Sequence, residues 1–295
     1  AVEVMRARRG RRLLGRPAGP RMALIAVLWI GAALSLLAIG VSDTVRQQIH
    51  AVGVERDQVT GQALGEAAIA LALQQLQATP ERPRGIVTVA APYAGVPIEV
   101  EAAPLNGLIS LNGAPPELLA SLLQVAGGLS AAPAQALAAS LAEWRDGRPE
   151  LEPTADPAAR QPRRFEAVED LLLVPGVDYG LYARLAPLVS ADLTGVARAN
   201  PEAAPPGVLA ALAQGRDGVV QQYLRQRAGG QPGADTSGFN PAFIATGGTS
   251  LYRLTANVPL EAGKMLHLVQ DVALVAGASR GAPWRVLRTP RPSVQ

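Results

Sequence analysis

The longest apolar stretch of the chain lies near its N-terminus. Residues 22–41 contain no charged side chain, and a helix of this length spans about 30 Å, the thickness of a bilayer core. The pattern therefore predicts a transmembrane helix. A cleaved secretory signal ending near Gly40 is the alternative, which the length disfavours because signal cores usually have about 7–15 apolar residues.

An amphipathic pattern follows this apolar stretch. Between residues 42 and 77, apolar positions recur at three-, four- and seven-residue spacing, and no proline interrupts them. The spacing predicts that one long helix continues out of the membrane. Gly61 and Gly65 are expected to weaken this helix locally, and Pro80 and Pro83 are expected to end it.

Two pairs of strand-like segments lie on either side of the middle of the chain. The first pair, residues 86–90 and 96–103, is joined by a turn, and the second pair comprises residues 250–258 and 265–275. These four segments predict one antiparallel sheet that covers the soluble half of the long helix. The fold class expected from this arrangement is α+β.

The middle of the chain, residues 113 to about 230, has a helical pattern with many prolines. Residues 112–122 and 200–212 share a polar turn, a double proline and an apolar segment, and proline in a first helical turn loses no hydrogen bond, so each predicts a helix start. Helices at residues 166–173 and 180–185, with a turn between them, predict a helix-hairpin-helix unit. We therefore expect a large helical domain inserted into the sheet.

The charge of the chain is unevenly distributed. Its net charge of +3 and pI near 9.7 suggest an anionic partner, but residues 1–21 alone carry seven arginines and one glutamate, a charge of +6. Such a cluster before an apolar segment keeps the N-terminus in the cytoplasm, so it is interpreted as a topology signal. A charge of −5 over residues 113–212 and of +5 over residues 213–295 indicates protein contacts.

Several kinds of chemistry are excluded or disfavoured by composition. The chain has no cysteine and two histidines, His50 and His267, which excludes thiolate zinc sites, iron–sulfur clusters and disulfides. Residues 277–281 match the G-x-S-x-G elbow of hydrolases, but no His, Asp or Glu follows them to complete a triad. We therefore expect that the chain is not an enzyme.

DNA binding is one alternative function for the predicted hairpin unit, because backbone amides and cations of such units contact phosphates. The surrounding acidic segment repels a polyanion, and Arg163, Arg164 and Arg184 are its nearby cations. Protein–protein packing is the favoured interpretation. The nearby cluster of Glu166, Glu169 and Asp170 is typical of a solvated helix face.

A cation site is a further candidate. The loop at residues 235–240 is rich in oxygen atoms, and Asp235 and Asn240 could bind a hard cation such as Ca²⁺. The loop lacks a ligand series of known spacing, so a plain turn is the other interpretation. No cofactor is firmly predicted, and Ca²⁺ is a candidate.

Several segments together resemble the type II secretion system protein K family of minor pseudopilins, over nearly the whole chain. They are residues 22–29 and 64–73 of the long helix, residues 109–112, residues 165–176 with 181–187, and Asn200 with residues 204–212. The run at residues 165–176 is the most specific of them.

The resemblance implies a pilin-like fold, with the long helix packed on an antiparallel sheet and a large inserted all-helical domain. The expected organisation is a basic leader at 1–21, a transmembrane segment at 22–41, the pilin-like helix and first strands at 42–112, the inserted helical domain at 113–230, and C-terminal strands with a tail at 231–295.

The family also implies a function. The chain is expected to be a minor pseudopilin at the pseudopilus tip that helps to initiate assembly and the export of folded proteins across the outer membrane. The implied partners are minor pseudopilins I, J and H, the major pseudopilin G, prepilin peptidase and the inner membrane, without nucleic acid. The implied location is the bacterial inner membrane, single-pass, with a cytoplasmic N-terminus and a periplasmic C-terminal region.

Processing is implied at the start of the apolar segment. Prepilin peptidase would cut between Arg21 and Met22, where the family has glycine in place of Arg21, and methylation is expected as well. The fifth mature position, usually glutamate in pilins, is Ala26. Because a buried carboxylate without a partner is costly, its absence suits a subunit with no subunit above it.

Two other functions remain as alternatives. A membrane-anchored periplasmic protein for DNA binding or uptake would use the hairpin unit, and a soluble exported enzyme would begin near Val41. Calcium is not transferred from the family to particular residues, because residues 151–164 replace the acidic and aromatic stretch that often follows the segment at 143–146.

Overall fold

The computed structural model describes residues 20–147, 164–229, 233–275, 283–290 and 292–294. It contains two compact units, residues 1–57 and 58–295, which are treated separately. The leader up to residue 19, Arg163 and the G-x-S-x-G segment lie outside the described residues. The helices are α1 (Pro20–Ala78), α2 (Pro116–Val125), α3 (Ala131–Asp146), α4 (Tyr179–Leu185), α5 (Pro206–Leu212) and α6 (Asp217–Ala228).

In the first unit, the described residues belong to helix α1, which includes Arg21, Met22 and Ala26. Large apolar side chains near its start, such as Leu24, are exposed, and Trp29 is 74% exposed. Among the described residues, no helix meets the length and apolarity needed to cross a bilayer. The transmembrane segment at 22–41 stays a prediction, as do the five-part domain boundaries.

The second unit contains a six-stranded antiparallel sheet. The strands of this unit are, in chain order, β1 (Val87–Ala90), β2 (Glu99–Pro104), β3 (Ile109–Ser110), β4 (Val189–Ser190), β5 (Leu251–Pro259), β6 (Met265–Leu274), β7 (Trp284–Arg288) and β8 (Ser293–Val294). The sheet order is β1-β2-β5-β6-β7, and β8 also pairs with β6, whereas β3 and β4 form a separate parallel pair. The predicted α+β class with an antiparallel sheet is confirmed.

The four predicted strands correspond to β1, β2, β5 and β6, and two further strands follow them in the chain. β7 and β8 add to β6 from a segment that was expected to be a tail. Its prolines and arginines hide the strand pattern, and the pairing with β6 supplies the hydrogen bonds.

The second unit has a core between the sheet and the part of α1 from Gln58 onward. Tyr252, Leu254, Ala256 and Val258 alternate along β5 and are fully buried, in one cluster with Ile69 and other α1 residues. This alternation is typical of a strand with one face on a core. The sheet therefore takes its apolar cover from the predicted amphipathic helix.

Gly61 and Gly65 allow this helix to approach the sheet closely. A Cβ atom at Gly61 would lie 2.7 Å from Leu260 Cδ2, and one at Gly65 would lie 2.9 Å from Leu268 Cδ2. The two glycines, expected to weaken the helix, thus also make room for strand side chains. The gain in packing offsets their low helix propensity.

Helices α2 to α6, with β3 and β4, form the helical region (residues 109–229), which lies between β2 and β5 in the chain. It has its own large apolar cluster, which includes Leu119, Leu171 and Leu209. α2 and α5 both begin at the second proline of a double proline, so the two helix starts predicted from the sequence are confirmed. Residues Val168–Leu173 form a 3₁₀ helix instead of the expected α-helix.

We predict that Gly65→Leu destabilises the chain by about 2 kcal/mol, because the new side chain would overlap Leu268 and force the helix away from β6. The measurement is thermal unfolding of the full chain followed by circular dichroism. Ala63→Leu is the matched control, since Ala63 is exposed on the same helix. An equal effect of the two substitutions would contradict the close approach.

Candidate functional site: attachment of the helical region to the sheet

Asn112 connects three parts of the helical region. Its Nδ2 donates to the carbonyl oxygens of Phe165, at 2.9 Å, and Ala191, at 2.7 Å, and its Oδ1 accepts from the backbone amide of Phe165 at 2.9 Å. β3, which ends two residues earlier, pairs with β4 through Ile109 and Val189. The start of the helical region is thereby held to the segments before and after the 3₁₀ helix and α4.

Asn200, which occupies the equivalent place in the second double-proline segment, is 1% exposed. Its backbone amide donates to the carbonyl of Asn106 at 2.8 Å, and its Nδ2 donates to the carbonyl of Arg84 at 2.7 Å. Its Oδ1 accepts from the amide of Glu202 at 3.0 Å. Since Arg84 lies three residues before the start of β1, Asn200 ties the helical region to the chain that enters the edge strand of the sheet.

Ion pairs make a second connection between the helical region and the sheet. Arg288 of β7 donates to Glu169 Oε2 at 3.0 Å, and its Nε lies 3.7 Å from Asp192 Oδ2. Within the sheet, Arg253 of β5 bonds both oxygens of Asp271 on β6, at 2.7 and 2.9 Å. Part of the positive charge of the C-terminal segment is therefore used within this chain, a use that the charge pattern alone did not indicate.

The electrostatics of this connection are dominated by burial. Burial raises the pKa of Asp192, although Arg288 opposes the shift. Burial is also the largest effect on Arg253 and disfavours its charge, but the hydrogen bond to Asp271 and the negative charges of Asp271 and Asp192 together outweigh it, so the pKa of Arg253 lies above its ordinary value. Asp271 is 1% exposed, so the loss of either partner would leave an uncompensated buried charge.

The segment predicted as a hairpin unit uses its charged groups for local structure. The Asp170 carboxylate accepts from the amides of Glu166 and Ala167, at 2.8 and 3.0 Å, which caps the 3₁₀ helix. Arg184 donates to the carbonyl of Gly127 at 2.9 Å, just beyond the end of α2. Glu169 is exposed, as expected for a solvated face. It also pairs with Arg288, a contact that the sequence did not indicate.

The two candidate cation ligands accept hydrogen bonds from nearby backbone amides. Asp235 Oδ1 accepts from Ser237 at 2.9 Å, and Asn240 Oδ1 accepts from Ala242 at 3.0 Å. The hydrogen bond from Ser237 lowers the pKa of Asp235. In the part of the chain that the structure describes, no three His, Cys, Asp or Glu side chains cluster as metal ligands would. Calcium binding at Asp235 and Asn240 stays a prediction.

Comparison with known families identifies the segment that these contacts hold. Residues 105–192 match the family model of type II secretion system (T2SS) protein K. The resemblance to protein K is confirmed over these residues. The match begins directly after β2 and ends two residues after β4, so it encloses the β3–β4 pair and the contacts of Asn112.

A solved structure is also similar to the chain. It is the GspK-GspI-GspJ complex of the type 2 secretion system from enterotoxigenic Escherichia coli, with 19% sequence identity and a TM-score of 0.46 over 84% of this chain and 99% of the matched chain. None of the curated proteins compared with the chain matches it.

The sequence pattern indicates some of the residues that hold residues 105–192 in place and gives no sign of others. Asn112 and Asn200 were part of the resemblance, but their bonds depend on residues more than fifty positions away. The ion pair between Arg288 and Asp192 could not be predicted, because the two residues are far apart in the sequence and no local pattern relates them. The high strand propensity of Trp284 and Val286 is a weak sequence signal for β7.

We predict that Asn112→Asp destabilises the chain by about 2–4 kcal/mol, because a carboxylate would face the carbonyls of Phe165 and Ala191 and leave both without a donor. The measurement is the midpoint of chemical unfolding of the full chain. Asn240→Asp is the matched control, because in the described part of the chain the side chain of Asn240 bonds through its oxygen atom alone, and aspartate keeps that bond. Similar losses in both variants would show that the Asn112 amide is not required.

Proposed function

We propose that the chain is a minor pseudopilin of the type II secretion system. It acts at the tip of the pseudopilus, where it helps to initiate assembly and the export of folded proteins across the outer membrane. The observation that carries this proposal is the match of residues 105–192 to the protein K family. The resemblance of residues 22–29, 64–73 and 204–212, outside that match, supports it.

The fold is compatible with an assembly subunit. Helix α1 supplies the apolar cover of the sheet, and Asn200 and Arg288 join the helical region to the same sheet. A subunit built in this way presents the sheet and the helical region to its partners together. The proposed partners are minor pseudopilins I and J, with H and the major pseudopilin G, and the proposed role involves neither catalysis nor nucleic acid.

The proposed location is the cell envelope, with a single inner-membrane span at residues 22–41 and a periplasmic C-terminal region. Prepilin peptidase would remove the basic leader between Arg21 and Met22, and methylation would follow the family pattern. Ala26, in place of the usual glutamate, suits a subunit at the end of the filament. The DNA-binding alternative would use Arg184 as a phosphate contact, but the guanidinium of Arg184 already donates to the carbonyl of Gly127.

The direct test is co-expression of the full chain, tagged at its C-terminus, with pseudopilins I and J and prepilin peptidase of one secretion system. We expect I and J to co-purify with the chain from solubilised membranes, and sequencing of the purified chain to begin at Met22. The same preparation without I is the control for direct contact with J.

Two outcomes would contradict the proposal. One is a purified chain that retains neither I nor J although all three are present in the membrane. The other is a chain that begins near Val41 and is recovered from the periplasm, as an exported soluble protein would be. Binding of duplex DNA with a steep salt dependence would favour the DNA-binding alternative.

A further inference from the structure

Strand β1 forms one edge of the sheet, and no strand among the described residues pairs with its outer side. The amide of Ala91, directly after the strand, donates to the carbonyl of Ile98 at 2.9 Å. From this pair, hydrogen-bonded pairs between β1 and β2 recur at every second residue. The main-chain groups of the residues between them, Thr88 and Ala90, therefore point away from β2.

The outer side of this edge is open to another chain. Thr88 and Ala90 are both exposed, and within the described residues only the carbonyl of Ala90 has a partner there, the Nε2 of Gln75 at 3.4 Å. Natural proteins often protect such an edge with proline, lysine or a bulge, and Val87–Ala90 contains none of these. The edge can therefore accept a further strand, although its four residues limit the pairing to a short segment.

The two faces of β1 determine which side chains an added strand needs. Val87 and Val89 are half-buried and pack against the core between the sheet and α1. Thr88 and Ala90 lie on the opposite face, which is exposed. Because side chains alternate between the faces of a sheet, an added strand would place every second residue beside the two valines. Apolar side chains suit these positions.

The exposed face beside β1 carries two carboxylates. Glu101 lies opposite Thr88 and Glu99 lies opposite Ala90, and both glutamates are exposed. Neither has an ion-pair partner among the described residues, and their neighbours on β5 are an uncharged threonine and asparagine. An added strand would lie about 10 Å from β2, across the small side chains of Thr88 and Ala90. Long cationic side chains on that strand would reach the carboxylates.

A second copy of this chain fits the edge less well than a cationic partner. Pairing of two β1 edges would bring Glu99 and Glu101 of both copies close together, and like charges on neighbouring strands are unfavourable. β7 carries two arginines, but its Arg288 is already bonded to Glu169. The charges therefore favour a cationic strand from another protein.

We propose that the outer edge of β1 binds an extended segment of another protein, in which lysine or arginine alternates with apolar residues. The backbone of this segment bonds to the main chain of Thr88 and to the amide of Ala90. Its cationic side chains face Glu99 and Glu101, and its apolar side chains extend the buried face of the sheet. The inference goes beyond the role in secretion and does not depend on it.

The test measures peptide binding to the purified full chain by fluorescence anisotropy in a non-ionic detergent. The probe is Lys-Val-Lys-Val-Lys amide, with a fluorophore attached through a Gly-Gly linker. Glu-Val-Glu-Val-Glu amide reverses the charge, and a fully N-methylated form of the lysine peptide keeps the charges but has no amide donor. We expect the lysine peptide to bind and the other two not to bind. Light scattering of the same sample reports whether the chain associates with itself.

Thr88→Pro provides the decisive variant, because proline lacks the outward amide hydrogen, which the pairing with β2 does not use. We expect it to weaken binding of the lysine peptide about 10-fold, as for a lost hydrogen bond and its neighbouring contacts. Thr88→Ala is the matched control, since alanine keeps the amide, and it should bind as the unchanged chain does. The unfolding midpoint of each variant shows whether the fold is retained.

A charge reversal tests the proposal independently of any effect of proline on folding. In the double variant Glu99→Lys with Glu101→Lys, both changes lie on the exposed face, and we expect the glutamate peptide to bind in place of the lysine peptide. Absence of binding by the lysine peptide, equal binding of its N-methylated form, equal binding by the Thr88→Pro and Thr88→Ala chains, or an unchanged preference in the double variant would each overturn the proposal. Self-association that Thr88→Pro abolishes would also overturn it, because the edge would then bind a second copy.

Discussion

Hydrogen bonds from two asparagine side chains hold the second unit together. Asn112 closes the start of the helical region onto the segments before and after α4, and Asn200 joins the same region to the chain before β1. Each amide both donates to and accepts from main-chain groups that would otherwise lack partners there. Because a side chain with separate donor and acceptor atoms is needed, neither aspartate nor leucine can replace these residues.

The close approach of helix and sheet and the internal ion pairs follow the same principle. Gly61 and Gly65 give up helix propensity to bring α1 onto the strands, and Arg288 satisfies acidic groups of the helical region with a residue of the sheet. The glycines are locally unfavourable in a helix, and the arginine has no charged partner nearby in the sequence. Contacts with residues distant in the sequence explain both. Because these attachments join the helical region to the sheet, forces on that region reach the sheet and the part of α1 that packs on it.

Local patterns predicted the elements with clear periodicity. The alternation in β5 and the double prolines before α2 and α5 can be recognised in the sequence because each depends on neighbouring residues. The parallel pair β3–β4 could not be predicted, since each strand has two residues and their partners are eighty positions apart. The 3₁₀ geometry of Val168–Leu173 also escaped prediction. Asp170 caps its start by accepting from the amides of Glu166 and Ala167.

In the candidate site, too, features that depend on neighbouring residues were predictable and features that depend on distant residues were not. Asn112 and Asn200 were recognised as part of a family pattern, but their hydrogen-bond partners depend on the tertiary arrangement. The two candidate cation ligands, Asp235 and Asn240, accept hydrogen bonds from backbone amides, a role that composition alone does not separate from cation binding.

The attachments through Asn200 and Arg288 predict that the helical region and the sheet open as one cooperative body. Native-state hydrogen exchange of the full chain, resolved to peptides from α2, α5 and β5, tests it most directly. The account predicts that the most protected amides of all three elements exchange with the same opening free energy. Exchange of α2 and α5 at a clearly lower free energy than β5 would contradict it, because the helical region would then unfold while the sheet stays intact.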